Sequence, residues 1–158
     1  MIKKLSCKKT VKRIKSVNHF HHRKTPSLLE GISKNLPSLS RAYSITRKVS
    51  KAGFDWPDMK GILSKMDEEM HELQQALSLG DKKKVREEIG DLLFVMTNLA
   101  RFLKIDPEDA LKRTIEKFIL RFGYIEASLL KRGKTIYQSN LMEMDHLWEE
   151  AKRKRRKK

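Results

Sequence analysis

Between Met59 and Leu103 the sequence is interrupted once, by Gly80-Asp81, and the stretches on either side are rich in apolar residues at helical spacing. Met59, Ile62, Leu63, Met66, Met70, Leu73 and Leu77 recur at intervals of three and four, the period of a helix with one buried face. Glycine most readily takes the left-handed conformation that ends a helix, and aspartate is a preferred N-cap for the next. Two helices of about twenty residues joined by so short a connection fold back on each other. An antiparallel helical hairpin is therefore the element around which the rest of the chain is arranged.

The remaining punctuation also belongs to helices. Pro37 precedes Ser38–Lys51, where Leu39, Ala42, Tyr43, Ile45 and Val49 are apolar, and GFDWPD (Gly53–Asp58) breaks the chain with Pro57 expected in a first helical turn. Asp106-Pro107-Glu108-Asp109 has the cap, proline and acids that open a helix, which is expected to run to about Arg132, with Gly123 as a point of bending. A last helix is expected from Asn140 or Leu141, carrying Trp148 into the basic C-terminus. No alternating pattern of useful length predicts a strand. The fold class expected is all-α, a bundle of about five helices. The third of these, DLLFVMTNLARFL (Asp91–Leu103), is apolar on nearly every side, which implies burial on more than one face and predicts a homodimer or higher assembly.

The formal net charge of +16 would suggest a nucleic-acid binder, but it belongs to the two ends. Residues 1–24 carry nine Lys/Arg and no acid, residues 152–158 carry seven, and the middle keeps 20 basic against 20 acidic residues. The expected organisation is a basic extension (1–24), a charge-balanced helical domain (25–151) and a basic tail (152–158). The ends read as solvated tails, with phosphate-backbone binding as the alternative, since no aromatics interleave with the C-terminal run. HFHHRK (19–24) reads as a linker rather than a metal site. The single cysteine, Cys7, excludes a disulfide framework, no apolar run reaches membrane-spanning length, and no secretory h-region is present. A transit peptide is disfavoured by the excess of Lys over Arg, and a cytoplasmic protein without membrane partners is expected.

The acids gather beside the hairpin turn. Glu69 and Asp91 are each eleven residues from Gly80, and Glu72 and Glu88 are each eight. In an antiparallel hairpin Glu69 then faces Asp91 and Glu72 faces Glu88. Within each helix the two acids are three apart and share a face. Four carboxylates converge about 12 Å from the turn. A solvated acidic face is the ordinary meaning of such a cluster. Glu69 and Glu72, however, lie on the shoulder of the apolar stripe, and the patch on the third helix runs into Val95 and Phe102. Crowded carboxylates in such a setting are relieved by a hard divalent cation held through oxygen ligands, and Mg²⁺ with open positions commonly serves phosphates. The cations to match are Lys117 and Arg121, four apart on the fourth helix, with Arg113 extending the row and Lys84 one turn before Glu88. His71 points to the opposite shoulder and is not part of an HExxH motif.

These residues resemble the MazG-type nucleoside triphosphate pyrophosphohydrolases of the all-α NTP pyrophosphatase superfamily. EEMHE (Glu68–Glu72) and EEIGD (Glu87–Asp91) match the EExxE…ExxD signature. LLEGISKNLPSLSRA, GFDWPD, GDLLFVMTNLARFL, EKFILRF and MEMDHLWEEAK are similar to segments of the catalytic C-terminal half of MazG, in family order, over about residues 26–152. The resemblance implies a helical dimer and Mg²⁺-dependent hydrolysis of an NTP or dNTP to the monophosphate and pyrophosphate, with Mn²⁺ as a substitute cofactor. It implies metal ligands at Glu69, Glu72, Glu88 and Asp91, with Glu68 an outer or additional acid. It implies phosphate contacts at Lys84, Lys117 and Arg121, an aromatic near the nucleotide at Trp148, and a nucleotide contact at Asn98.

Two departures stand out. The family commonly has Asn where this chain has Ile115, which bears on nucleotide binding or specificity. Many MazG proteins also carry two such domains in a longer chain, so this one is expected to be a shortened or diverged member. The mechanism implied is metal-ion catalysis of nucleotide hydrolysis, in keeping with nucleotide-pool housecleaning. The alternative is a catalytically weakened or inactive helical dimer whose basic ends bind nucleic acid.

Overall fold

The computed structural model describes residues 27–156, and the basic extension 1–24 with its Cys7 lies outside them, as do Lys157 and Lys158. Among the described residues five α-helices follow one another: α1 (Ser38–Ser50), α2 (Met59–Leu79), α3 (Lys82–Phe102), α4 (Pro107–Lys131) and α5 (Leu141–Arg156), with a short 3-10 turn at Ile136–Gln138 before α5. Among the described residues there is no strand, so the all-α expectation holds.

Each boundary has a local cause. Asp58 caps α2, its carboxylate accepting from the Gly61 amide at 3.0 Å, so Pro57 precedes the cap instead of standing in the first turn. Gly80 closes α2 at φ 69°, and the Asp81 amide turns back to the Ala76 carbonyl. Asp81 then caps α3 by accepting from the Lys83 and Lys84 amides at 3.0 and 3.1 Å. The result is the tight hairpin expected from the sequence. Asp106 caps α4 in the same way, with Pro107 at its first position, and α4 continues unbroken through Gly123. Helix α5 does not stop where the basic run begins, but continues to Arg156. Lysine and arginine are good helix formers, and cations near a helix C-terminus suit its dipole.

Helices α2 and α3 pack along their length, and α1 lies against α3. Ile62, Ala76 and Val95 are the buried apolar residues of the hairpin. Thr46 and Thr97 are buried as well, each hydroxyl donating to a backbone carbonyl of its own helix. The GFDWPD segment is fastened to this unit twice. Trp56 lies so close to α2 that a Cβ added at Gly61 would meet its Cδ1 at 2.5 Å. Asp55 pairs with Arg101 of α3 at 2.5 Å.

Helices α4 and α5 form a second hairpin, with Ile125, Leu129 and Leu147 at its centre and Phe122, Met144 and Trp148 around them. Its turn is locked by Glu143, which accepts from Arg132, Lys134 and Ser139 at 3.1, 3.1 and 3.0 Å. The first turn of α4 touches α1, where the Ser40 amide and hydroxyl donate to Glu108. Among the described residues α5 touches none of α1, α2 and α3.

Among the described residues much apolar surface remains uncovered. Leu93 and Met96 of α3 and Leu111, Ile115, Phe118 and Ile119 of α4 are all exposed. Leu39, Leu93, Met96, Leu103 and Leu111 line part of a groove of about 390 Å³ between α1, α3 and α4.

Candidate metal centre

The α2–α3 seam brings carboxylates together as the spacing predicted, with one refinement. Oxygens of Glu69, Glu88 and Asp91 all lie within 4.8 Å of one another. Glu69 and Glu88 point into the seam, 5 % and 1 % exposed, whereas Asp91 opens to solvent. Glu72 does not join this close group. It is half-buried beside Glu88, near enough to favour that residue's ionised form. Equal spacing from Gly80 thus set the level of the four acids along the hairpin, while packing chose which of them turn inward.

Each buried acid carries a lysine one helical turn before it. Lys84 donates to Glu88 at 2.6 Å and Lys65 to Glu69 at 2.7 Å. Lys65 is shared with the exposed Glu68 at 2.8 Å. The Lys84 ammonium holds the Glu88 carboxyl below the usual carboxylate range, and Glu88 in turn raises Lys84. The Lys65 ammonium is raised by hydrogen bonds to Glu68 and Glu69. Sequence reading missed Lys65 as a part of this site, although its spacing of three and four from the two acids was visible.

The other Glu88 oxygen, Oε2, is buried and has no hydrogen-bond partner among the described residues. A buried, unpartnered carboxylate oxygen is costly, and here it stands beside two further acids. Oxygens of three acids within 4.8 Å of one another, on residues that include the unpartnered Glu88 Oε2, suit a hard divalent cation and fit no neutral occupant as well.

The remaining predicted residues fall on other surfaces. Lys117 is half-buried on α4, and four residues on, the Arg121 guanidinium lies over the Trp148 ring at 5.3 Å from its centroid. Phe118 of the same helix also packs against this indole, its ring 5.2 Å away and tilted by 54°. The Arg121 Nε is buried without a partner among the described residues. Arg113, read as an extension of this row, is paired with Asp109 at 2.7 Å. Asn98 is 2 % exposed, and its carbonyl oxygen accepts from Arg101 Nε at 2.7 Å. Within one chain its role is to orient Arg101 toward Asp55.

Among the described residues no helix is long and apolar enough to cross a membrane.

Residues 58–123, which include every acid of the cluster, match the model of the MazG nucleotide pyrophosphohydrolase domain. A Thermotoga maritima protein named nucleoside triphosphate pyrophosphohydrolase/pyrophosphatase MazG is 39% identical over 130 residues, 82% of this chain and 50% of that protein. The nucleoside triphosphate pyrophosphohydrolase of Escherichia coli is 36% identical over 149 residues, covering 92% of this chain and 53% of its own. The YabN protein of Bacillus subtilis is 42% identical over 132 residues, which make up 83% of this chain and 27% of that protein. The chain spans about half the length of the first two of these relatives.

Proposed function

The chain belongs to the MazG nucleotide pyrophosphohydrolase family, and from that premise we propose that it hydrolyses nucleoside triphosphates to the monophosphate and pyrophosphate with the help of a divalent cation, Mg²⁺ first and Mn²⁺ as a substitute. The observation that carries the reading is the meeting of Glu69, Glu88 and Asp91 oxygens within 4.8 Å of one another, in a cluster whose buried Glu88 Oε2 has no hydrogen-bond partner among the described residues. Relatives 36% and 39% identical are named for this activity, so a non-catalytic dimer that binds nucleic acid is not favoured.

Glu69, Glu88 and Asp91 would hold the cation, with Glu72 beside Glu88 as the fourth ligand. When bound, the cation supplies positive charge against the polyphosphate and Lewis acidity toward water. The chain's own side chains supply the rest. Asp91 is the solvent-facing acid, so substrate approaches from its side of the seam. Lys84 is half-exposed and bonded to Glu88. It is within a side-chain swing of a phosphate there, and its ammonium offsets charge that builds on the leaving pyrophosphate. Lys117 and Arg121 serve as further phosphate contacts, and Trp148, already stacked under Arg121, offers an apolar face to the nucleoside.

These α4–α5 residues stand on a hairpin whose α5, among the described residues, makes no contact with α2 or α3. The exposed apolar strips of α3 and α4 support a homodimer, the assembly in which that surface is covered. Ile115 stands within the α4 strip, where an apolar residue favours such packing over a polar nucleotide contact. A cytoplasmic setting and a role in cleansing the nucleotide pool complete the proposal.

The direct test is release of pyrophosphate from a panel of NTPs and dNTPs with and without Mg²⁺. Metal-dependent release that disappears in Asp91→Ala supports the assignment. Turnover retained by that variant sinks it.

A further inference from the structure

Lys65 has no place in the chemistry above, yet it makes two of the short ion pairs at the cluster. Its ammonium lies 2.7 Å from Glu69, a side chain only 6 % exposed, and 2.8 Å from Glu68, a side chain 56 % exposed. One partner is a buried acid of the metal cluster, and the other is a neighbouring acid in water. We propose that Lys65 is a resident counter-ion for Glu69, which yields that carboxylate to an incoming divalent cation and keeps Glu68 as its remaining partner. The proposal rests on the metal reading of the cluster.

The physical case has three parts. First, the cluster confines acids that repel one another, and two lysines on the same helices neutralise the two buried ones. Lys84 can leave Glu88 for a phosphate. Lys65 is not matched to any phosphate position, so it needs another acceptor if it is to leave Glu69. Second, Glu68 is that acceptor, already at hydrogen-bonding distance. Release from Glu69 therefore leaves Lys65 paired, and no ammonium has to be desolvated or stranded. Third, a unit positive charge beside a dication opposes its binding even where water screens the pair. Lys65 thereby weakens the affinity of the nucleotide-free site and favours arrival of the cation together with a polyphosphate, which brings its own negative charge. On this account Glu68 acts on the cation only through Lys65, as a positioning residue and not a ligand.

The test is direct Mn²⁺ binding to the full chain without nucleotide, followed by the electron paramagnetic resonance signal of free Mn²⁺, together with thermal melts of the metal-free protein. Lys65→Met is expected to bind Mn²⁺ about tenfold more tightly than the parent while its metal-free form melts lower. Lys65→Arg, which keeps the charge, stays near the parent. Glu68→Gln removes the negative charge that competes with Glu69 for Lys65, so it binds Mn²⁺ several-fold more weakly, and that effect vanishes in the Lys65→Met background.

Unchanged or weaker Mn²⁺ binding in Lys65→Met, with the parent binding normally, overturns the proposal alone. Equal weakening by Glu68→Gln in both backgrounds also overturns it, because Glu68 then acts on the cation directly. No Mn²⁺ binding by the parent or any variant overturns the metal reading itself, and this proposal with it.

Discussion

Replacing Gly61 by alanine should destabilise the protein, although Gly61 lies inside a helix where alanine is ordinarily the better residue. Two effects oppose each other. Helix propensity favours the substitution by about 1 kcal/mol. Against it, a Cβ at this position would lie 2.5 Å from Trp56 Cδ1, closer than carbon atoms approach, and a tight 3.3 Å from Cγ. The indole is a rigid ring on a segment held by the Asp55–Arg101 pair, so relief requires moving the loop as well as the ring. Overpacking of this kind costs about 1–3 kcal/mol. The clash wins, and the net loss should be about 1 kcal/mol.

Gly123, inside α4, provides the control, since an added Cβ there meets nothing within 4 Å. Gly123→Ala should therefore gain roughly 0.5–1 kcal/mol by the same propensity. Urea unfolding of both variants reads the two signs. If Gly61→Ala proves as stabilising as Gly123→Ala, the close seating of Trp56 on α2 is wrong.

Other perturbations read different parts of the molecule. Lys134, with Ser139 and Arg132, holds the Glu143 carboxyl below its ordinary range. A depressed carboxylate stabilises the fold above the unfolded-state pKa, and that contribution fades as pH falls through the folded value. Glu143→Gln should thus lower the melting temperature by about 3 °C at pH 7, and the two melting curves should converge below about pH 4. A gap that persists undiminished at pH 3 would refute the ionic lock. Sedimentation of the full chain at micromolar concentration should give a particle of twice the chain mass, whereas a clean monomer would leave the apolar strips of α3 and α4 unexplained.

How much of this was legible in the sequence depends on how local each feature is. The helices and their caps are set by residues within one turn of each boundary, so Gly80, Asp81 and Asp106-Pro107 could be read directly. The acid cluster was legible because a two-residue turn leaves little freedom in how α2 and α3 align. Counting from Gly80 gave the level of each acid but not its azimuth, which is why Glu72 was expected among the closest acids and stands beside them instead. Lys65 was written in the sequence too, yet a lysine four residues from a glutamate is common on exposed helices. Only the burial of Glu69 distinguishes it. The Asp55–Arg101–Asn98 chain joins a loop to a helix across 46 residues, and no periodicity encodes such a contact. The helical continuation through Arg156 was obscured by charge, since a basic run suits a solvated tail and a helix C-terminus equally.

We propose that this acid cluster splits a nucleoside triphosphate between its α and β phosphorus atoms with a divalent cation in place. Phosphorus-31 NMR of an NTP incubated with the protein and Mg²⁺ tests it most directly. Nucleoside monophosphate and inorganic pyrophosphate are expected in equal amounts, none without metal and none from Asp91→Ala. Nucleoside diphosphate with orthophosphate, or the same products from the Asp91 variant, would contradict it.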